Sequence, residues 1–96
     1  MRLDQTYIRI IKKTIFGKIE DANIFLFGSR VDDSKKGGDI DLFVHTSKPL
    51  TMHDELELLI ALEQKGIHRK IDLIIDSPQN SKSDFFQKIK NQAIAL

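Results

Sequence analysis

The sequence predicts an α/β fold of the α+β kind, a small mixed β-sheet packed by helices. Three observations predict it. Apolar residues recur at helical spacing at the amino end, after residue 51 and after residue 84. Three short β-branched runs stand between and beside those stretches, each ended by turn residues. The two kinds of segment alternate along 96 residues without internal repeat or low-complexity stretch, as layered helix-and-sheet domains require.

Each element has a local cause. Leu3, Tyr7, Ile11, Ile15 and Ile19 lie four apart, so they line one face of a helix, while Arg9, Lys12, Lys13 and Lys18 fall on others. Asn23 to Phe27 is too short and too apolar for a surface helix and ends at Gly28-Ser29, which predicts a buried strand. Arg30 to Gly38 is polar and closes on a double glycine, a loop signature. Asp39 to Val44 reads Asp, Ile, Asp, Leu, Phe, Val, a second strand with carboxylates on alternate positions. After the Ser47-Lys48-Pro49 break, Thr51 and Asp54 form a capping box for a helix carrying Met52, Leu56, Leu59 and Ile60, which Gly66 stops. Lys70 to Ile75 is a third strand, Ser77-Pro78 breaks it, and Asp84 to about Ala93 is a last helix through Phe85, Phe86 and Ile89. Strand order does not follow from the pattern.

Composition sets bounds on function. At 41% hydrophobic and 30% charged residues, the chain is expected to be one globular domain, residues 1–96. A formal charge of +1 supplies no global field for nucleic acid or an anionic membrane, so direct nucleic-acid binding is not expected and any phosphate binding is local. Without cysteine, thiolate metal sites and disulfides are excluded, and oxygen ligands remain. No apolar run is long enough for a signal peptide or a membrane span, which makes the cytoplasm the expected address. His45, His53 and His68 lack ligand spacing and are read as solvated or capping residues, and Asp32 and Asp33 as loop charges.

The candidate chemistry is acidic. Side chains alternate along a strand, so Asp39 and Asp41 project from one face with Ile40 on the other. Two neighbouring carboxylates repel unless a proton or cation neutralises them. Mg²⁺ suits such a pair, because it takes oxygen ligands and is held by one or two carboxylates plus substrate phosphates. Asp72 on the third strand completes a three-carboxylate cluster if the two strands are neighbours. Gly28 and Ser29 lie where backbone N–H groups and a hydroxyl meet phosphate oxygens, with Arg30, Lys35 and Lys36 as nearby positive charge. Asp76, just before Ser77-Pro78, is read as a turn residue.

Taken in order, Phe27-Gly28-Ser29-Arg30, a polar loop, Asp39-Ile40-Asp41-Leu42 and Ile71-Asp72-Leu73 resemble the minimal nucleotidyltransferases of the DNA polymerase beta superfamily. The resemblance spans nearly the whole chain. It implies the polymerase beta-like fold, with Gly28 and Ser29 on the triphosphate, Asp39 and Asp41 on metal, and Asp72 completing the catalytic triad. One departure is the loop from Arg30 to Gly38, a residue shorter than the family's most frequent spacing.

Larger members hold the acceptor with an added domain, for which this chain has no expected room, so the acceptor is expected to come with another molecule. The resemblance to minimal nucleotidyltransferases that act as antitoxins beside a helical HEPN-type toxin implies transfer of AMP from ATP to a hydroxyl of that toxin, a tyrosine, within a hetero-oligomer. Two other readings stay open. One is transfer to a small molecule such as an aminoglycoside. The other is a non-catalytic module that neutralises a partner by contact.

Overall fold

The computed structural model describes residues 3–28 and 39–96. Ser29, Arg30, Lys35 and Lys36, named above as phosphate contacts, lie outside the described residues, as do Asp32, Asp33 and the loop they belong to. The elements run α1 (Gln5–Lys18), β1 (Asn23–Phe27), β2 (Ile40–His45), α2 (Met52–Gln64), β3 (Ile71–Asp76), α3 (Ser83–Ile89) and β4 (Ile94–Ala95). The four strands form one mixed sheet in the order β3-β2-β1-β4. β1 is antiparallel to β2 and β4, whereas β2 and β3 are parallel and joined through α2. A parallel pair needs such a crossover, and a helix supplies it.

The helices begin where the capping residues place them. Asp4 accepts the Thr6 N–H at 2.6 Å and so satisfies a first-turn donor of α1. Thr51 and Asp54 close the expected capping box on α2, with bonds of 3.1 and 2.9 Å running in opposite directions. Lys18 at the end of α1 pairs with Glu57 at 3.1 Å and Asp54 at 3.7 Å, holding the two helices side by side. Gly66 ends the α2 segment with φ +119°, which a side chain would resist.

Strand alternation gives the sheet two different faces. Ile24 and Leu26 of β1, Ile40, Leu42 and Val44 of β2 and Ile75 of β3 are buried against Ile11 and Ile15 of α1 and Leu58 and Leu62 of α2. Burying each of these side chains contributes about 1.5–3 kcal/mol, so this layer holds most of the fold's cohesion. The predicted stripe is borne out: Leu3, Ile11, Ile15 and Ile19 are buried and Tyr7 packs against them. On the opposite face, α3 lays Phe85 and Phe86 over Phe25, Phe27 and Phe43, with ring centroids 5.1–6.4 Å apart across the aromatic group. Among the described residues no helix is long and apolar enough to cross a membrane.

The carboxyl end differs from expectation. The last helix stops at Ile89 instead of running to about Ala93, and residues 94–95 become β4. β1 otherwise presents an unpaired edge, and an edge strand's N–H and C=O groups recruit any chain that reaches them. Leu26 pairs with Ile94, Phe25 with Ala95, and the Leu96 N–H donates to the Ile24 carbonyl at 2.9 Å.

Asp21, in the turn from α1 to β1, fastens the far end of β2. Its carboxylate accepts the Thr46 hydroxyl at 2.6 Å, the Ser47 N–H at 2.9 Å and the Ser47 hydroxyl. The Ser47 hydroxyl first, then Thr46 and the Ser47 N–H, hold the Asp21 carboxyl down to about 2 from the usual 3.8. A lowered carboxyl stabilises the fold above its ordinary range and loses that contribution as pH falls through the folded value. Thermal melts are therefore expected to drop between pH 4 and 2, and Asp21→Asn to remove that part of the drop.

Candidate active site

The acidic residues gather at one end of the two parallel strands. Asp41 of β2 and Asp72 of β3 are register partners, so both project from the α3 face of the sheet. Asp39 lies two residues before Asp41, at the entry to β2, and Ile40 between them is buried on the other face, as alternation predicts. The condition set on Asp72, that its strand neighbour the first, is met. Phe27, at the end of β1, pairs with Asp41 in register, so the next residue, Gly28, arrives directly at the carboxylate.

Gly28 has φ +77°, and a Cβ built there would overlap the Asp41 carboxylate oxygen and stand 3.1 Å from its Cγ. Two demands coincide at this position. The chain must turn through the left-handed region, and the space a side chain would fill is occupied by Asp41. On the inner side the carboxylates are bordered by the aromatic layer, where Phe27 meets Phe85 edge-on at 5.6 Å and Phe43 stacks on Phe85 at 6.1 Å.

Lys70 was not anticipated as part of this site. Its ammonium lies 3.9 Å from Asp39 Oδ2 and 3.8 Å from Asp72 Oδ1, bridging carboxylates that would otherwise repel. The signal was present in the sequence: Lys70 is two residues before Asp72, and residues two apart on a strand share a face. With Lys70 72% exposed and its partners 44% and 43%, these are surface pairs that hold the lysine weakly. Among the described residues no three His, Asp or Glu side chains are spaced to hold a metal ion. Asp39, Asp41 and Asp72 are thus brought to one strand end without closing into a finished cage, and the Lys70 ammonium, at ion-pair distance of Asp39 and Asp72, offsets part of their charge.

Asp76 and His45 take a structural part at the other end of the same strands. His45 Nδ1 lies 2.7 Å from Asp76 Oδ2, and the Lys82 N–H donates to Asp76 Oδ1 at 2.7 Å. Burial raises the Asp76 carboxyl, but the Lys82 N–H and His45 more than offset it, leaving it lowered. The turn role expected for Asp76 is borne out, and the pairing with His45 adds a cross-strand clasp.

A glycine-ended strand set against acidic residues on two adjacent parallel strands offers phosphate-compatible backbone beside oxygen ligands for a cation. The family model described as polymerase beta nucleotidyltransferase matches residues 9–96, and the chain belongs to that family. No curated protein sequence matches it significantly. Several solved structures share the fold. One is a chain from Shewanella oneidensis, 15% identical with a TM-score of 0.73, aligned over 98% of this chain and 71% of that one. Another belongs to the tri-AMPylated HEPN toxin of Shewanella oneidensis in complex with MNT antitoxin, at 22% identity, TM-score 0.72, and 97% and 71% coverage. A third, a mutant of the toxin–antitoxin pair MntA-HpeT, gives 23% identity, TM-score 0.73, and 98% and 72% coverage.

Proposed function

We propose that this chain is a Mg²⁺-dependent adenylyltransferase that moves AMP from ATP onto a hydroxyl, a tyrosine, of a helical HEPN-type toxin and so acts as its antitoxin. The observation that carries the reading is the register pairing of Asp41 with Asp72 beside Gly28, within a family of nucleotidyltransferases. Two structures with the same fold include a HEPN toxin with its MNT antitoxin, in AMPylated form, and a toxin–antitoxin pair. A cytoplasmic address goes with this reading.

The donor set fits the metal. All three side chains offer carboxylate oxygens, and Mg²⁺ needs only one or two of them when phosphates and water supply the rest. Asp41 with Asp39 or Asp72 would hold it, and when bound it would neutralise phosphate charge and acidify the attacking hydroxyl. The residues themselves do the remaining work. Gly28 lets the backbone approach the triphosphate, with Ser29 and Arg30 as its further contacts. Asp72 accepts the acceptor's proton. The acceptor oxygen bonds to the α-phosphorus, the bond from that phosphorus to the bridging oxygen breaks, and pyrophosphate leaves with the electron pair. Such transfer depends on positioning and charge more than on covalent chemistry, which suits a site this spare.

Lys70 has a defined part in this scheme. As an internal ammonium on Asp39 and Asp72 it competes with a metal cation until nucleotide arrives. Lys70→Ala is therefore expected to bind Mn²⁺ without nucleotide roughly two- to fivefold more tightly than the native chain, the range that exposed ion pairs allow. Direct Mn²⁺ titration by electron paramagnetic resonance measures it.

The function itself is tested by intact mass. Incubated with ATP and Mg²⁺, the HEPN-type protein should gain whole AMP units with the native chain and none with an Asp39→Asn, Asp41→Asn double variant. Equal gain with both refutes the role given to Asp39 and Asp41, and toxin neutralised without added mass refutes catalysis and leaves contact as the mechanism.

A further inference from the structure

Helix α2 turns an apolar stripe toward solvent. Met52, Leu56 and Ile60, spaced by one turn, are 85%, 55% and 45% exposed, and they are the large exposed hydrophobics among the described residues. Isolated exposed leucines are ordinary, but a contiguous row is characteristic of an interface. The row also leads somewhere. A shallow groove of about 350 Å³ runs beside Met52, Leu56 and Leu59, and a second cleft of about 450 Å³ starts at the same Leu59. That second cleft continues over Ile67 and Ile71 to His68, Arg69 and Lys70. Lys70 in turn pairs with Asp39 and Asp72. One surface therefore reaches from the start of α2 to the catalytic carboxylates, with Leu59 and Lys70 as its joints.

Charge divides this surface. The α2 segment carries Asp54, Glu55, Glu57 and Glu63 and no lysine or arginine. Lys18 already pairs with Asp54 and Glu57, which leaves Glu55 in the groove beside the apolar row, while Glu63 lines the second cleft. At the catalytic end the sign reverses, with exposed His68, Arg69 and Lys70 in sequence.

We propose that this groove docks the acceptor protein through an amphipathic helix whose apolar ridge lies on Met52, Leu56 and Leu59, with exposed Ile60 at its border. The docked helix carries a basic residue toward Glu55 at the start of α2 and an acidic one toward Arg69, so that the acceptor hydroxyl arrives at Lys70 and Asp72. Helical spacing on α2 suits a helix packed ridge into groove. Opposite charge at the two ends fixes its direction, since the reversed orientation sets like charges together. The proposal rests on the adenylyl-transfer reading for the hydroxyl it delivers, but docking itself is measurable without transfer.

The test uses the full chain and the HEPN-type acceptor, with Leu56→Glu as the main variant. Leu56 is half exposed, so glutamate there leaves the core and the thermal midpoint unchanged. Leu56→Glu is expected to weaken the complex by roughly 30-fold or more, as removal of a central interface anchor does, while ATP affinity of the free chain stays native. Arg69→Glu is expected to weaken the same complex, and more strongly at low salt. Native acceptor affinity in Leu56→Glu overturns the proposal. So does loss of self-association with acceptor binding intact, which would mean that a second copy covers the stripe. If the native chain binds the acceptor but adds no AMP, the transfer reading falls while docking is still decided by the Leu56→Glu affinity. If the native chain does not bind the acceptor, docking falls as well.

Discussion

Asp41→Asn is expected to lower the single-turnover rate of AMP transfer by about 10³-fold or more while leaving the protein folded. The size follows from the part assigned to Asp41. A bound cation supplies several kcal/mol of charge stabilisation in phosphoryl transfer, and each 1.36 kcal/mol is tenfold in rate. Asparagine keeps the shape of the side chain on a strand whose packing face belongs to Ile40 and Leu42, so the register with β3 survives. Relief of repulsion among neighbouring carboxylates is expected to leave the melting temperature level or slightly raised. Rapid-quench measurement with labelled ATP gives the rate, and circular dichroism the melt. A loss below tenfold would mean that Asp41 is not a principal ligand.

The second large effect comes from a residue with no reactive group. Gly28→Ala places a methyl where the Asp41 carboxylate lies, in a backbone conformation that disfavours any side chain. The carboxylate sits at the end of a flexible side chain, so the fold accommodates the methyl by turning Asp41 aside. Displacing a reacting group by about 1 Å costs on the order of 10²-fold, and left-handed backbone adds about 1–2 kcal/mol of instability. Gly28→Ala is thus expected to lose transfer at least 10²-fold together with a lower melting temperature, which separates it from Asp41→Asn. Part of the Gly28→Ala loss acts through the Asp41 carboxylate, so the double variant should lose less than the product of the two single losses. Fully additive losses would mean that Gly28 acts on the triphosphate alone and not through Asp41.

Much of this molecule was legible in its sequence for local reasons. The helix start at Thr51 follows from hydrogen bonds made within a few residues, and the sidedness of Asp39, Ile40 and Asp41 follows from strand geometry alone. What was not legible depends on partners distant in the chain. Strand β4 exists because the open edge of β1 reaches residues 94–95, and no periodicity in two residues announces that. The pairing of Asp41 with Asp72 needed the parallel register of β2 and β3, which spacing cannot supply. Lys70 was missed although its position two residues before Asp72 placed it on the acidic face. In the sequence Lys70 only opens the third strand, and its charge joins the acidic end because Asp39 and Asp72 stand on both sides of it.

The functional division that emerges is physical. One face of the sheet is committed to cohesion through α1 and α2, and the other joins an aromatic layer to an acidic strand end where repulsion is tolerated. Proteins place such locally unfavourable groupings where ligands relieve them. Lys70 offers partial relief at ion-pair distance, weak enough to yield to a stronger cation.

The most direct measurement is a crystal of the chain grown with Mn²⁺ and an ATP analogue that cannot be cleaved between the α- and β-phosphates, with anomalous scattering recorded for manganese. The account predicts a manganese peak coordinated by Asp41 and at least one of Asp39 and Asp72, the triphosphate against Gly28, and Lys70 withdrawn from the carboxylates. Nucleotide bound elsewhere, or manganese absent from these three side chains while Lys70 keeps its pairs, would contradict it.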